Sequence, residues 1–178
     1  MKTKITLILA SLLLLSGCEW LKNAAEVTIE TDLTTTIPVV VAGVKSADLN
    51  ADLTALNFTA SQTLSLAENI DVEPYLEKIR EVNLKSLVVT INGLSAGQTI
   101  NTISLSVTGV GTLCTQTNIT SANNSFTPTV DMDLLAQAGE KLADDHQITL
   151  TLSGTASGPM TFCVSLVFDA EIVAGALD

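Results

Sequence analysis

Leu87-Val-Val-Thr-Ile-Asn-Gly-Leu-Ser-Ala-Gly-Gln-Thr-Ile-Asn-Thr-Ile-Ser-Leu-Ser-Val107 holds the pattern that decides the fold. Leu87, Val89 and Ile91 share one face of the first half. Ile103, Leu105 and Val107 share one face of the second, with Thr102, Ser104, Ser106 and Thr108 opposite. Apolar residues at period two mark a half-buried antiparallel strand. Gly93 and Gly97 flank the break, where a turn needs their backbone freedom. The stretch therefore reads as strand, turn, strand.

The same pattern recurs outward along the chain. Ile148, Leu150 and Leu152 oppose Thr149, Thr151 and Ser153, and Phe162, Val164, Leu166 and Phe168 line one side of the last strand. Phe58 to Leu66 alternates weakly. Val27 to Val44 is rich in Thr, Val and Ile but contains Pro38, which implies an edge strand, a bulge or a break. Lys45 to Leu56 fits a loop or a short helix equally.

Two short helices are expected between strands. Val72, Tyr75, Leu76, Ile79 and Val82 have helical spacing, with Asp71 as cap and Pro74 in the first turn. Met132, Leu135, Ala138 and Leu142 form a second stripe. The expected fold class is mainly β: an antiparallel, immunoglobulin-like β-sandwich with two short helices. Phe58 to Gly93 and Phe126 to Gly154 share a strand, Asp, helix, strand, Gly order. Duplication and recurring sandwich grammar explain this equally well.

The first residues belong to a different class of segment. Lys2 and Lys4 precede an apolar run from Ile5 to Leu15, followed by Leu15-Ser16-Gly17-Cys18. A basic start, a short apolar stretch and small residues before a cut site make an export signal. The run is shorter than the roughly 20 residues that a membrane-spanning helix needs. The four residues ending at Cys18 resemble the lipobox of bacterial lipoproteins. The resemblance implies a diacylglyceryl group on the Cys18 sulfur and cleavage just before it. Lipid chains anchor by about 0.8 kcal/mol per buried methylene, and two or more chains hold stably. Residues 1–17 are then signal peptide, 18–26 a lipidated short tether, and 27–178 the sandwich domain. Trp20 fits the headgroup level. Glu19 does not match the Asp that favours inner-membrane retention, so the outer membrane is the expected location.

Charge and composition narrow the functions. The chain has 8 Lys+Arg against 19 Asp+Glu, a formal net charge of −11. Loss of Lys2 and Lys4 makes the mature chain two units more negative still. So acidic a chain lacks the clustered cations that nucleic acid requires. Aromatic residues are 3% of the chain, too few for a stacking platform under sugars or bases.

Candidate chemistry is sparse. Cys114 and Cys163 remain after lipidation takes Cys18, and in an oxidising compartment a pair is expected to form a disulfide. Strand parity sets Cys163 away from Phe162 and Val164, and Cys114 away from Leu113, so both should lie off the apolar face. Two thiols are too few for structural zinc unless His146 and a carboxylate join them. Gly93-Leu-Ser95-Ala-Gly97 matches the serine-hydrolase elbow, with Asp131 or Asp133 and His146 following in the right order. That elbow needs a helix after the serine, whereas Gln98 to Thr108 has strand periodicity. Asp131, Asp133, Asp144 and Asp145 could hold Ca²⁺, yet no calcium-loop pattern accompanies them, and Asp131 and Asp133 equally serve a helix N-terminus.

The resulting expectation is a membrane-anchored, non-enzymatic structural or binding module of the cell envelope. It needs no cofactor or metal and no nucleic acid, and it works with a protein partner. A carrier of an apolar ligand held between the sheets is the second reading, and a hydrolase at Ser95 the third. The domain's pattern is similar to small lipoproteins with immunoglobulin-like sandwiches, a likeness of fold that implies no activity.

Overall fold

Alternation assigns the faces, and hydrogen bonding then assigns the neighbours. The computed structural model describes residues 25–43 and 55–176. The lipobox, Cys18 and Trp20 lie outside the described residues, as does nearly all of the Lys45 to Leu56 stretch.

The described strands are β1 (Glu26–Val41), β2 (Leu56–Ser65), β3 (Ile79–Asn92), β4 (Ile100–Val107), β5 (Gly111–Ile119), β6 (Ser125–Phe126), β7 (Gln147–Ala156) and β8 (Met160–Gly175). Among the described residues one α-helix, α1, spans Met132–Asp145. The strands form two four-stranded antiparallel sheets, ordered β1-β8-β3-β6 and β2-β7-β4-β5. The mainly β, antiparallel sandwich is thus as expected.

Its connectivity is not immunoglobulin-like. In that fold the first strand pairs with the second. Here β1 pairs with β8, β2 with β7, β3 with β6 and β4 with β5. These nested pairs are one long hairpin rolled into two sheets, the arrangement of a jelly roll. Period-two alternation is identical in both folds, so it could not separate them.

Apolar residues from both inner faces fill the gap between the sheets. Ile37, Ile91, Leu150, Val164, Leu166 and Phe168 are fully buried. Burying a side chain of this size contributes about 1.5–3 kcal/mol. Pro38 lies on β1, an edge strand, where its missing N–H interrupts no second ladder.

The helix α1 follows its sequence signals closely. The Asp131 carboxylate accepts from the N–H groups of Asp133 and Leu134. Leu135, Ala138, Gly139 and Leu142 face inward, packed chiefly on β3. Because β6 is only two residues long, the sheet edge beyond it needs another cover, and α1 supplies it.

The other expected helix is replaced by a 3-10 turn over Glu73–Lys78. Ile79 and Val82 belong instead to β3, where pairing with Ala174 and Ile172 of β8 overrides the helical spacing. The suggested repeat also dissolves. Gly93 sits in a turn at φ 97°, but Gly154 lies inside β7, opposite Phe58 and Ile103. A Cβ at Gly154 would run into the Thr102 carbonyl oxygen.

Candidate functional site

The residues suggested for hydrolysis are carried to opposite ends of the sandwich. Ser95 lies in the β3–β4 turn, where its N–H donates to Gln98 Oε1 at 2.8 Å. Beside that turn, Ser157 N–H donates to the Thr99 carbonyl just past the end of β7. His146 caps α1 in the left-handed region (φ 56°) and precedes the first residue of β7. The length of β7 therefore separates the two, roughly 30 Å at strand rise. The serine is exposed, and the suggested base His146 is at the other end of β7.

The acidic group is dispersed in the same way. Asp131 and Asp133 stand at the start of α1, and Asp144 and Asp145 at its end, about 20 Å further on. Asp131 is used as the helix cap. Asp145 pairs with Lys141 at 2.6 Å, one turn back on the same helix. No group of three or more potential metal ligands occurs among the described residues.

Cys114 and Cys163 are both free, and the expected bond between them is not formed. Cys163 sits on the outer face of the β8 strand, opposite Pro38 and Asn92. Cys114 points the other way, because the register shifts between Leu105 and Ser106 and leaves Leu113 as an extra residue. Leu113 and Cys114 consequently both turn toward the interior, against the parity that the sequence suggests. Cys114 lines a cavity of about 10 Å³ with Val89, Leu105, Phe126 and Leu166. Space for about one water does not admit an apolar ligand. Burial pushes the Cys114 thiol up to about 11, with a hydrogen bond to the Leu105 backbone acting the other way.

The outer face of the β1-β8-β3-β6 sheet carries an ionic cluster. Glu30 and Glu171 are direct cross-strand partners, and like charges so placed repel. A register shift between Leu84 and Ser86 makes Lys85 the extra residue of β3 and turns it to this face. Its Nζ donates to Glu30 Oε2 at 2.7 Å and lies 3.0 Å from Glu171 Oε2. Hydrogen bonds donated to Glu30 and Glu171 hold the Lys85 pKa well above the usual lysine range. Lys85 in turn lowers that of Glu171.

The other sheet has a different outer face. No Asp, Glu, Lys or Arg occurs in β2, β4, β5 or β7. Asn57, Thr155, Thr102 and Thr117 form one cross-strand row. Thr59, Ser153, Ser104 and Thr115 form the next, and Ser61, Thr151, Ser106 and Thr112 a third. Hydroxyl pairs bridge neighbouring strands: Ser61 to Thr151, Thr102 to Thr155 and Ser104 to Thr115 at 2.9 Å, and Ser106 to Thr112 at 3.0 Å. The alternating Ser and Thr are plain in the sequence. Their assembly on one uncharged face depends on strand order and is not.

Charge also differs between turns of the described residues. The turns at 93–99, 120–124 and 157–159 cluster at one end and contain no charged residue. The opposite end, where β1 begins, carries Glu68, Asp71, Glu73, Glu77, Asp144 and Asp145.

No family model and no curated protein matches the chain. Solved structures similar to it include several viral ones. Cocksfoot mottle virus matches at 12% identity and TM-score 0.41, covering 85% of each chain. Turnip yellow mosaic virus matches at 16% and 0.39, covering 85% of this chain and 95% of its own. Desmodium yellow mottle tymovirus matches at 15% and 0.34, covering 84% and 91%. At such scores these likenesses bear on neither function nor assembly, and the architecture rests on the strand order itself.

Proposed function

We propose that the chain is a lipid-anchored module of a bacterial cell envelope, on the outer membrane, and that it acts by binding rather than catalysis. The lipobox ending at Cys18 carries this reading. The tether to Glu26 is short: eight extended residues reach at most about 28 Å. A domain held so closely turns the end where β1 starts toward the membrane. That end is acidic, and an anionic lipid surface repels it. The uncharged turns at 93–99, 120–124 and 157–159 then face away, toward a protein partner.

The distance between Ser95 and His146 supports the non-enzymatic part of the reading. Its test is labelling of the membrane fraction with a fluorophosphonate probe. The protein should stay unlabelled, and Ser95→Ala should fully restore the phenotype of a deletion strain. Stoichiometric labelling that Ser95→Ala abolishes would make the chain a serine hydrolase instead.

A further inference from the structure

We propose that two copies of this chain pair face to face through the outer surface of the β2-β7-β4-β5 sheet. Charge supplies the first argument. A chain with net charge −11 repels its own copies wherever carboxylates meet. On this face no carboxylate meets another, because none of its strands carries one. The opposite sheet would set Glu30, Asp32, Asp169 and Glu171, with the single Lys85 among them, against the same group in the partner.

Desolvation supplies the second argument. Burying a hydroxyl without a partner costs about 1–3 kcal/mol on protein scales. Here Ser61, Thr151, Thr102, Thr155, Ser104, Thr115, Ser106 and Thr112 already bond in pairs across the strands. Their short side chains allow a second sheet to approach closely. Twist is no obstacle, since stacked sheets accommodate it by crossing at about 30°.

Area supplies the third. Four strands about 4.8 Å apart and some 30 Å long present on the order of 550 Å² per copy. Two copies bury on the order of 1,100 Å², just above the roughly 1,000 Å² expected of a specific interface. A two-fold axis parallel to the strands sets Ser153 of one copy over Ser104 of the other. Both β1 starts then lie at the same end, so the pairing suits copies anchored in one membrane. It does not depend on the anchor.

The test uses the full chain in intact cells, with Cys163→Ser to remove the thiol on the opposite sheet. Ser153→Cys places a thiol at the centre of the proposed interface, and Thr34→Cys places one on the other outer face. A short bis-maleimide should cross-link the Ser153→Cys chain to dimer at least fivefold more than the Thr34→Cys chain. Adding Ser104→Glu should abolish that excess while leaving the melting curve in place. Equal cross-linking at the two positions, or an excess that survives Ser104→Glu in folded protein, overturns the proposal.

Discussion

Phe58 of β2 and Phe162 of β8 meet edge to face, with ring centroids 5.5 Å apart and planes at 87°. The two strands belong to different sheets, so this contact ties one layer to the other. Phe162 is 2% exposed and Phe58 5%. Truncation of either to alanine should cost about 3–5 kcal/mol, the range for buried aromatic residues. A double-mutant cycle in urea should show about 0.5–1.5 kcal/mol of coupling beyond lost area. Additive losses would mean that the rings pack without interacting.

The two thiols should behave differently. Native protein should contain free thiols at both Cys114 and Cys163, read by mass after alkylation in denaturant. In the folded state at pH 8, Cys163 should react first. Cys114, with its thiol raised from 9.0 to about 11 and largely buried, should react only as the protein opens. The sign for stability follows from linkage. Between about pH 9 and 11 the unfolded chain loses this proton and the folded chain keeps it, so stability should fall as pH rises through that window. A Cys114→Ala variant should lose that part of the alkaline decline.

Lys85 separates two carboxylates that the β1–β8 register forces together. Lys85→Ala should lower the melting temperature, and added salt should shrink the difference, since exposed charges are screened. Glu171 has its pKa lowered by Lys85. Its contribution is present above the ordinary carboxylate range and lost as pH falls through its folded pKa. The wild type should therefore lose more stability on acidification than the variant, as paired melts at neutral and acid pH would show.

Sequence made the local structure legible and left the partners hidden. Alternation in Leu87 to Val107 gives β3, the turn and β4, whereas Pro38 left an edge, a bulge or a break open until the strand order set β1 at an edge. The Asp131 cap and the stripe through Leu142 give α1. Pairing of β1 with β8 joins residues more than a hundred positions apart, and no local pattern carries it. The same limit explains the thiols. A one-residue shift after Leu105 reverses which side Cys114 faces, and an alternation count cannot see it. Helical spacing at Val72 to Val82 fails for a related reason: the β8 ladder claims Ile79 onward. The hydroxyl face becomes visible only when β2, β7, β4 and β5 stand side by side.

The central claim is the anchor at Cys18, and growth of the source cells with labelled palmitate tests it most directly. Wild-type protein should incorporate label and sediment with the outer membrane on a density gradient. Cys18→Ala should take up no label and either leave the membrane or accumulate unprocessed. A Cys18→Ala protein that still carries fatty acid and still fractionates with the membrane would contradict the account.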